Sequence, residues 1–346
     1  MRRRAAVLFL VVPCAFLLFH AMRAPAQDVE KRAQEPAVKP QNENEANRSS
    51  FAPPAASLAP PPGEKEFTIH TDVRMVVLDV SVKDAHGGFV SGLTKDNFQI
   101  YEDGKPQAIT QFADQDQPVT LGIVVDESGS MRYKRPEVIT AALSFITFSN
   151  PQDEIFVTNF NDKVYHGLPD TVLFTGNVNL LRGALWSTAP EGRTALYDAI
   201  MASLRQLDMG RMSKKSLVVI SDGGDNFSTH NMHDVMRKVE DSLATIYTIG
   251  VFDSDDPDRN PDVLKRLANV SGGVAYFPEE LKGIVPACKQ IAKDIRTRYT
   301  MAYTPSDGPA GKLRRIKVTA TAPGHDKLIC RTRTEYAYNP EDSSDR

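Results

Sequence analysis

The segment Asp126-Glu127-Ser128-Gly129-Ser130 places one carboxylate and two hydroxyls at alternate positions of a glycine-containing turn. Oxygens at that spacing can point into one space, which suits a small hard cation. Two further segments offer matching chemistry. Gly192-Arg193-Thr194 carries a hydroxyl in the loop that opens a helical stretch, and Ser221-Asp222-Gly223-Gly224-Asp225 holds a carboxylate at a loop tip. Mg²⁺ takes near-octahedral oxygen ligands and keeps several waters, so a few protein oxygens suffice. A zinc site would need Cys or His, and none lies in these three segments.

The segments can cooperate only if the elements before them deliver them to one edge. Residues 119–125 form a continuous apolar run of the kind a strand buried on both faces requires. Further strands are expected at 154–160, 216–221, 244–251 and 274–277. Helices are expected at 137–148, 178–186, 195–207, 233–243, 261–269 and 280–298. This alternation implies βαβ units, hence a doubly wound, mostly parallel sheet with helices on both faces. In such a sheet ligands bind beyond the carboxyl ends of the strands, where all three segments fall.

The flanks read differently. Residues 73–82 and 98–101 on one side, and 299–303, 315–320 and 328–336 on the other, are short β-rich runs separated by Gly, Pro and Asp turns. Neither set has enough strands for a stable sandwich, so the two are expected to pair into one small β-sandwich-like domain. The organisation expected is a signal peptide at 1–26, a Pro-rich disordered linker at 27–64, β-domain halves at 65–117 and 299–338, the α/β domain at 118–298 and a tail at 339–346. No internal repeat is visible.

Arg2, Arg3 and Arg4 precede an apolar run ending at Phe19, and Ala24-Pro25-Ala26 follows as a small-x-small cleavage pattern. Export to the periplasm, the surface or the medium is the expectation, with membrane attachment only if the segment stays uncleaved. Loss of residues 1–26 removes four arginines and no acid, moving the formal charge from −3 to −7. A mildly acidic protein is a poor nucleic-acid binder, and the densest basic cluster, 312–317, lacks interleaved aromatics and reads as the solvated face of a strand. Export leaves Cys288 and Cys330 in an oxidising compartment, where they could form one bridge or stay as two buried thiols.

Other clusters read blandly. His230-Asn231-Met232-His233 lacks a third metal ligand and lies where a helix begins. The acidic run 253–258 lacks the glycine and closing Glu of a calcium loop. Glu127 and Arg132 flank the candidate site and could tune which partner fits, but charges beside a loop are usually just solvated, and that is the reading here. Asp225 and Asn226 could support the Asp222 loop or simply form a turn. Ser128-Gly129-Ser130 superficially suggests a nucleophile, but there is no Gly-x-Ser-x-Gly elbow and no histidine in the converging segments.

Asp126-x-Ser128-x-Ser130, Thr194 within Gly-x-Thr-Ala-Leu and Asp222 within Ser-Asp-Gly together resemble the metal-ion-dependent adhesion site of von Willebrand factor type A (vWA) domains. More narrowly, 92–98, 101–105 and Tyr303-Thr304-Pro305 resemble flanks of vWA-related proteins of acidobacteria. The resemblance implies Mg²⁺ or Mn²⁺ held by the hydroxyls of Ser128, Ser130 and Thr194, with Asp126 and Asp222 acting largely through bound water. It further implies a protein ligand offering an exposed Asp or Glu, no small-molecule cofactor and no catalysis. A structural envelope protein in which the metal only fixes loops, or a metal-dependent hydrolase, are the alternatives.

Overall fold

A computed structural model of the chain describes residues 75–114, 116–252 and 257–338, all within one compact unit, Thr68–Arg346. The expected signal peptide, linker and tail, and most of the acidic run 253–258, lie outside the described residues. In chain order the elements are β1 (Val76–Lys83), β2 (Phe98–Glu102), β3 (Lys105–Gln107), β4 (Gln111–Ala113), β5 (Val119–Asp126), α1 (Arg135–Thr147) and β6 (Glu154–Phe160). There follow β7 (Val164–His166), α2 (Val178–Leu185), α3 (Leu196–Asp208), β8 (Lys214–Ser221), α4 (Met232–Asp241), β9 (Thr245–Gly250) and α5 (Pro261–Ser271). The last are β10 (Ala275–Tyr276), α6 (Ile284–Arg296), β11 (Tyr299–Tyr303), β12 (Lys312–Ala320), β13 (Ile329–Arg331) and β14 (Glu335–Tyr338).

The central sheet runs β10-β9-β8-β5-β6-β7. All its pairings are parallel except that of β7, which returns antiparallel along β6. Every residue of β5 and β8 is buried, as strands covered on both faces demand. Gly122 lets the layers close: a Cβ there would stand 2.4 Å from the Phe156 ring and 2.5 Å from Leu217. Helices α6, α1 and α2 pack as one neighbouring set and α3, α4 and α5 as another. From β5 the chain steps to β6 on one side and later to β8 on the other, so the strand order reverses between β5 and β8.

The two flanks interleave as expected. One antiparallel sheet has the order β13-β1-β11-β4 and the other β14-β12-β2-β3. Leu78, Val80, Ile100, Met301 and Tyr303 fill a core between them that is separate from that of the α/β layer. Inside it Glu102 is buried and accepts from Tyr303 Oη (2.6 Å), Tyr336 Oη (2.7 Å) and Arg314 Nη1 (2.7 Å), so this buried carboxylate is fully partnered.

Two expectations need correction, and one alternative left open is decided. The run 328–336 is not one strand: it breaks at Thr332-Arg333-Thr334 into β13 and β14, which belong to different sheets. Arg333 is buried at the break and donates to Ser242 O, which draws the chain across. The basic cluster 312–317 is not wholly solvated, because Arg314 turns inward to Glu102. The bridge between Cys288 and Cys330 is absent, and both are free thiols. Cys288 packs in the α/β core and Cys330 against the sandwich core, so each is drawn into a different apolar cluster.

Burial pushes the Cys288 thiol up to about 12 and Cys330 up to about 11. Thiolates are the reactive form, so neither should label quickly in the folded protein. After denaturation without reductant, iodoacetamide should modify both. A folded sample whose mass is short by two hydrogens would contradict this.

Candidate metal centre

Asp126 ends β5 and Ser221 ends β8, so the two carboxylate-bearing loops leave adjacent strands at the point where the sheet order reverses. The third segment is tied to both. Gly129 N donates to Gly192 O (3.2 Å) and Glu191 N to Glu127 O (2.9 Å), while Asn226 N and Phe227 N both donate to Thr194 O (3.0 Å each). The structure therefore brings Asp126, Ser128, Ser130, Thr194 and Asp222 to one edge.

The side chains there already interact. Ser130 Oγ donates to Asp222 Oδ2 (2.6 Å) and lies 3.1 Å from Ser128 Oγ. Asp126 accepts from Ser128 N (2.9 Å) on one oxygen and from Ser221 Oγ (2.6 Å) on the other. Gly223 N donates to Ser221 Oγ (3.0 Å) and Gly224 N to Asp222 Oδ1 (3.0 Å). Gly223 sits at φ +80°, and a Cβ there would stand 2.3 Å from Asn260 O, so only glycine makes this turn.

Asp126 and Asp222 are each 2% exposed. Burial, and next the charge of Asp222, push the Asp126 carboxyl up to about 7. Two like charges removed from water are costly unless a cation joins them. The donors are carboxylate and hydroxyl oxygens, the set that hard cations prefer, and no sulfur or imidazole stands among them. The residues fit Mg²⁺ or Mn²⁺. Among the described residues no three His, Cys, Asp or Glu side chains cluster as a metal site, and a centre with two carboxylates and three hydroxyls would not form such a cluster.

The surrounding support differs in part from the sequence reading. Asn226, read as support for the Asp222 loop or as a turn residue, holds the third segment, accepting from Thr194 N (3.0 Å). Asp225 instead accepts from Tyr197 N (2.9 Å) and Ser228 Oγ (2.6 Å), fixing the start of α3. Glu127 is not a solvated charge. Its side chain is fully buried, its N donates to Phe160 O (2.7 Å), and its carboxylate forms an ion pair with Arg135 Nε at 2.8 Å. Burial pushes Glu127 up to about 7 despite Arg135. Arg135 also donates to Thr188 O and lies 4.6 Å over the Trp186 ring. No local pattern announces a partner eight positions away across a turn. Arg132 is exposed, as expected. Among the bland readings, Asn231 caps α4 by accepting from Asp234 N, and His230 pairs with Asp198 at 2.6 Å, so that motif serves a helix start.

Residues 121–286 match the family described as von Willebrand factor type A domain. No curated protein matches the sequence. Among solved structures, similarity extends to a von Willebrand factor type A protein from Catenulispora acidiphila, with 14% identity over 78% of this chain and 76% of that one at a TM-score of 0.44. An aerotolerance-related membrane protein from Bacteroides fragilis NCTC 9343, carrying multiple mutations to serines, matches at 15% identity over 51% of this chain and 98% of that one, TM-score 0.41. The vWF domain of the type V pili tip protein Mfa5 from Porphyromonas gingivalis matches at 13% identity over 51% and 95%, TM-score 0.43. The α/β layer inserted between the two halves of the sandwich has the fold of a von Willebrand factor type A domain over the matched residues 121–286.

Proposed function

We propose that this protein is an exported, non-enzymatic binding module that holds Mg²⁺ or Mn²⁺ and, through it, an acidic side chain of a partner protein. The observation that carries the reading is the convergence of Asp126 and Asp222, both buried, with the Ser128 and Ser130 hydroxyls within 3.1 Å of one another, at the switch point of the sheet. Ser128, Ser130 and Thr194 would offer hydroxyls to the cation, and Asp126 and Asp222 would balance its charge mostly through bound water. The cation supplies a strong electrostatic contact for a partner's carboxylate in a partly dehydrated interface.

The chain's own residues do the positioning. Ser221 and the Ser128 amide orient Asp126, Asn226 holds Thr194, and the Glu127–Arg135 pair anchors the first loop to the start of α1. Export is supported by the arginine-led apolar start and the Ala24-Pro25-Ala26 pattern. No helix of the described residues is long and apolar enough to cross a membrane.

Calorimetric titration of Mg²⁺ and Mn²⁺ into the protein, beside an Asp126→Ala variant with an unchanged circular dichroism spectrum, tests the reading. Saturable binding lost in the variant is expected. Absence of binding to the intact protein would remove the cation from the account and leave a structural role for the loops.

A further inference from the structure

The residue before Thr194 is placed to do more than carry the loop. Arg193 lies with its guanidinium carbon 3.6 Å from the centroid of the Phe227 ring, so the guanidinium lies over the aromatic face. Both residues are exposed, and both are tied to Thr194. Arg193 is its chain neighbour, and Phe227 donates its amide to Thr194 O. Asn226 closes the clamp by bonding Thr194 through both its own amide and its side chain. The stack is thus held beside a residue of the candidate centre.

An arginine stacked this way keeps its donor edge free for fork pairing with a carboxylate, and it has already given up much of its side-chain freedom. Among the described residues no carboxylate forms an ion pair with Arg193. The acids near Phe227 are engaged elsewhere: Asp225 by Tyr197 and Ser228, and Asp258 by the Asn226 amide side chain (3.0 Å). Glu191 precedes Gly192 and Asp162 stands beside it, so the rim has no uniform positive field; what favours an incoming acid is the local fork of Arg193. On the first loop, three residues after Ser130, Tyr133 is 88% exposed. Tyr, Arg and exposed aromatic surface are the residue types that concentrate binding energy in interfaces.

We propose that Arg193, stacked on Phe227, is a second anchor, and that the partner segment carries two acidic side chains, one for the metal centre and one for the Arg193 guanidinium. The proposal rests on the metal-dependent reading above and narrows its partner. Arg193 is a specificity residue rather than a support for the metal, because its side chain faces solvent while Asn226 fixes Thr194 through backbone and amide bonds.

The test uses the protein with fluorescent Gly/Ser peptides carrying either one Asp or two Asp at a series of spacings, in Mg²⁺ and in EDTA. At a preferred spacing the two-acid peptide should bind at least about tenfold more tightly, as a charge-assisted fork contact allows. Arg193→Gln should reduce it to the one-acid level while leaving Mg²⁺ affinity by calorimetry and Tm unchanged. Arg193→Lys should recover only part of the preference, since it keeps the charge and loses the fork. Saturable Mg²⁺ binding with no two-acid preference, or an equal loss for both peptides in Arg193→Gln, overturns the second anchor alone, whereas saturable Mg²⁺ binding with neither peptide bound overturns the carboxylate-holding reading together with it. Absence of Mg²⁺ binding overturns the underlying reading, and this proposal with it.

Discussion

Arg298→Met is expected to lower the unfolding free energy by about 3–5 kcal/mol, the usual cost of stripping one partner from a buried ion pair. Arg298 is 3% exposed and bridges the sandwich and the α/β layer. It donates to Asp294 Oδ2 from Nε (3.1 Å) and Nη2 (2.8 Å), to Asp79 O in β1 (3.1 Å) and to Gly272 O (2.7 Å). Asp294 also accepts from Ser81 Oγ (2.5 Å) and Tyr247 Oη (2.6 Å). Removing the guanidinium leaves a buried carboxylate with hydroxyl donors only and strands two carbonyls. Urea denaturation measures the loss, and the double variant with Asp294→Asn should cost less than the two single changes combined. A loss under about 1 kcal/mol would mean that water reaches the junction.

The same network sets a pH dependence. Burial alone would raise the Asp294 carboxyl, but the Arg298 charge and the Ser81 and Tyr247 hydroxyls hold it below its ordinary 3.8. A depressed carboxyl stabilises the fold fully above the unfolded value and loses that contribution as pH falls through the folded one. Wild-type stability should therefore drop below about pH 4. In Arg298→Met, where only the Ser81 and Tyr247 hydroxyls still oppose burial, that part of the acid slope should flatten.

Asp126→Asn should raise Tm in EDTA and abolish any rise on adding Mg²⁺. In the metal-free protein Asp126 and Asp222 are buried like charges, and neutralising one relieves both desolvation and repulsion. The amide oxygen can still accept from Ser128 N, and its NH₂ can donate to Ser221 Oγ, so the turn keeps its bonds. Wild type should instead gain about 2.7 kcal/mol at Mg²⁺ a hundredfold above Kd. Scanning calorimetry with and without EDTA compares the two. A variant that is less stable in EDTA would show that the carboxylate supports the loops by itself.

What the sequence made legible follows physical locality. The strand at 119–125 and the oxygen-rich turn after it are contiguous, and their burial and hydrogen bonding follow from residues a few positions apart. The convergence of Asp222 with that turn was readable because the parallel strands β5 and β8 end at one edge, whereas Thr194 follows α2 rather than a strand and was legible only as the loop that opens α3. Long-range polar choices were not readable. Glu127 looked like a surface charge, and only the fold shows Arg135 waiting for it under the loop. Asn226 accepts from Thr194 N through loop geometry that no spacing rule contains. The edge strand β7 is only three residues long, too short for period-two alternation to announce itself. Arg333 reads as one more polar residue in a β-rich run until its burial breaks the run in two.

The way the sandwich is shared between the chain's two flanks also orders its assembly. Val76 pairs with Tyr303 and Phe98 with Ala320, more than two hundred positions apart in each case. Closing such loops in an unstructured chain is entropically expensive and slow. The inserted α/β domain shortens the search, because β4 just before it and β11 just after it are hydrogen-bonded neighbours, Thr300 opposite Ala113. Once that domain has condensed, its entry and exit stand side by side and the long loop is replaced by a rigid one. The expected order is that the sandwich zips outward from β4 and β11, with β1 and β13 following, so that the domain with the candidate metal centre would be the template on which the other half of the protein folds.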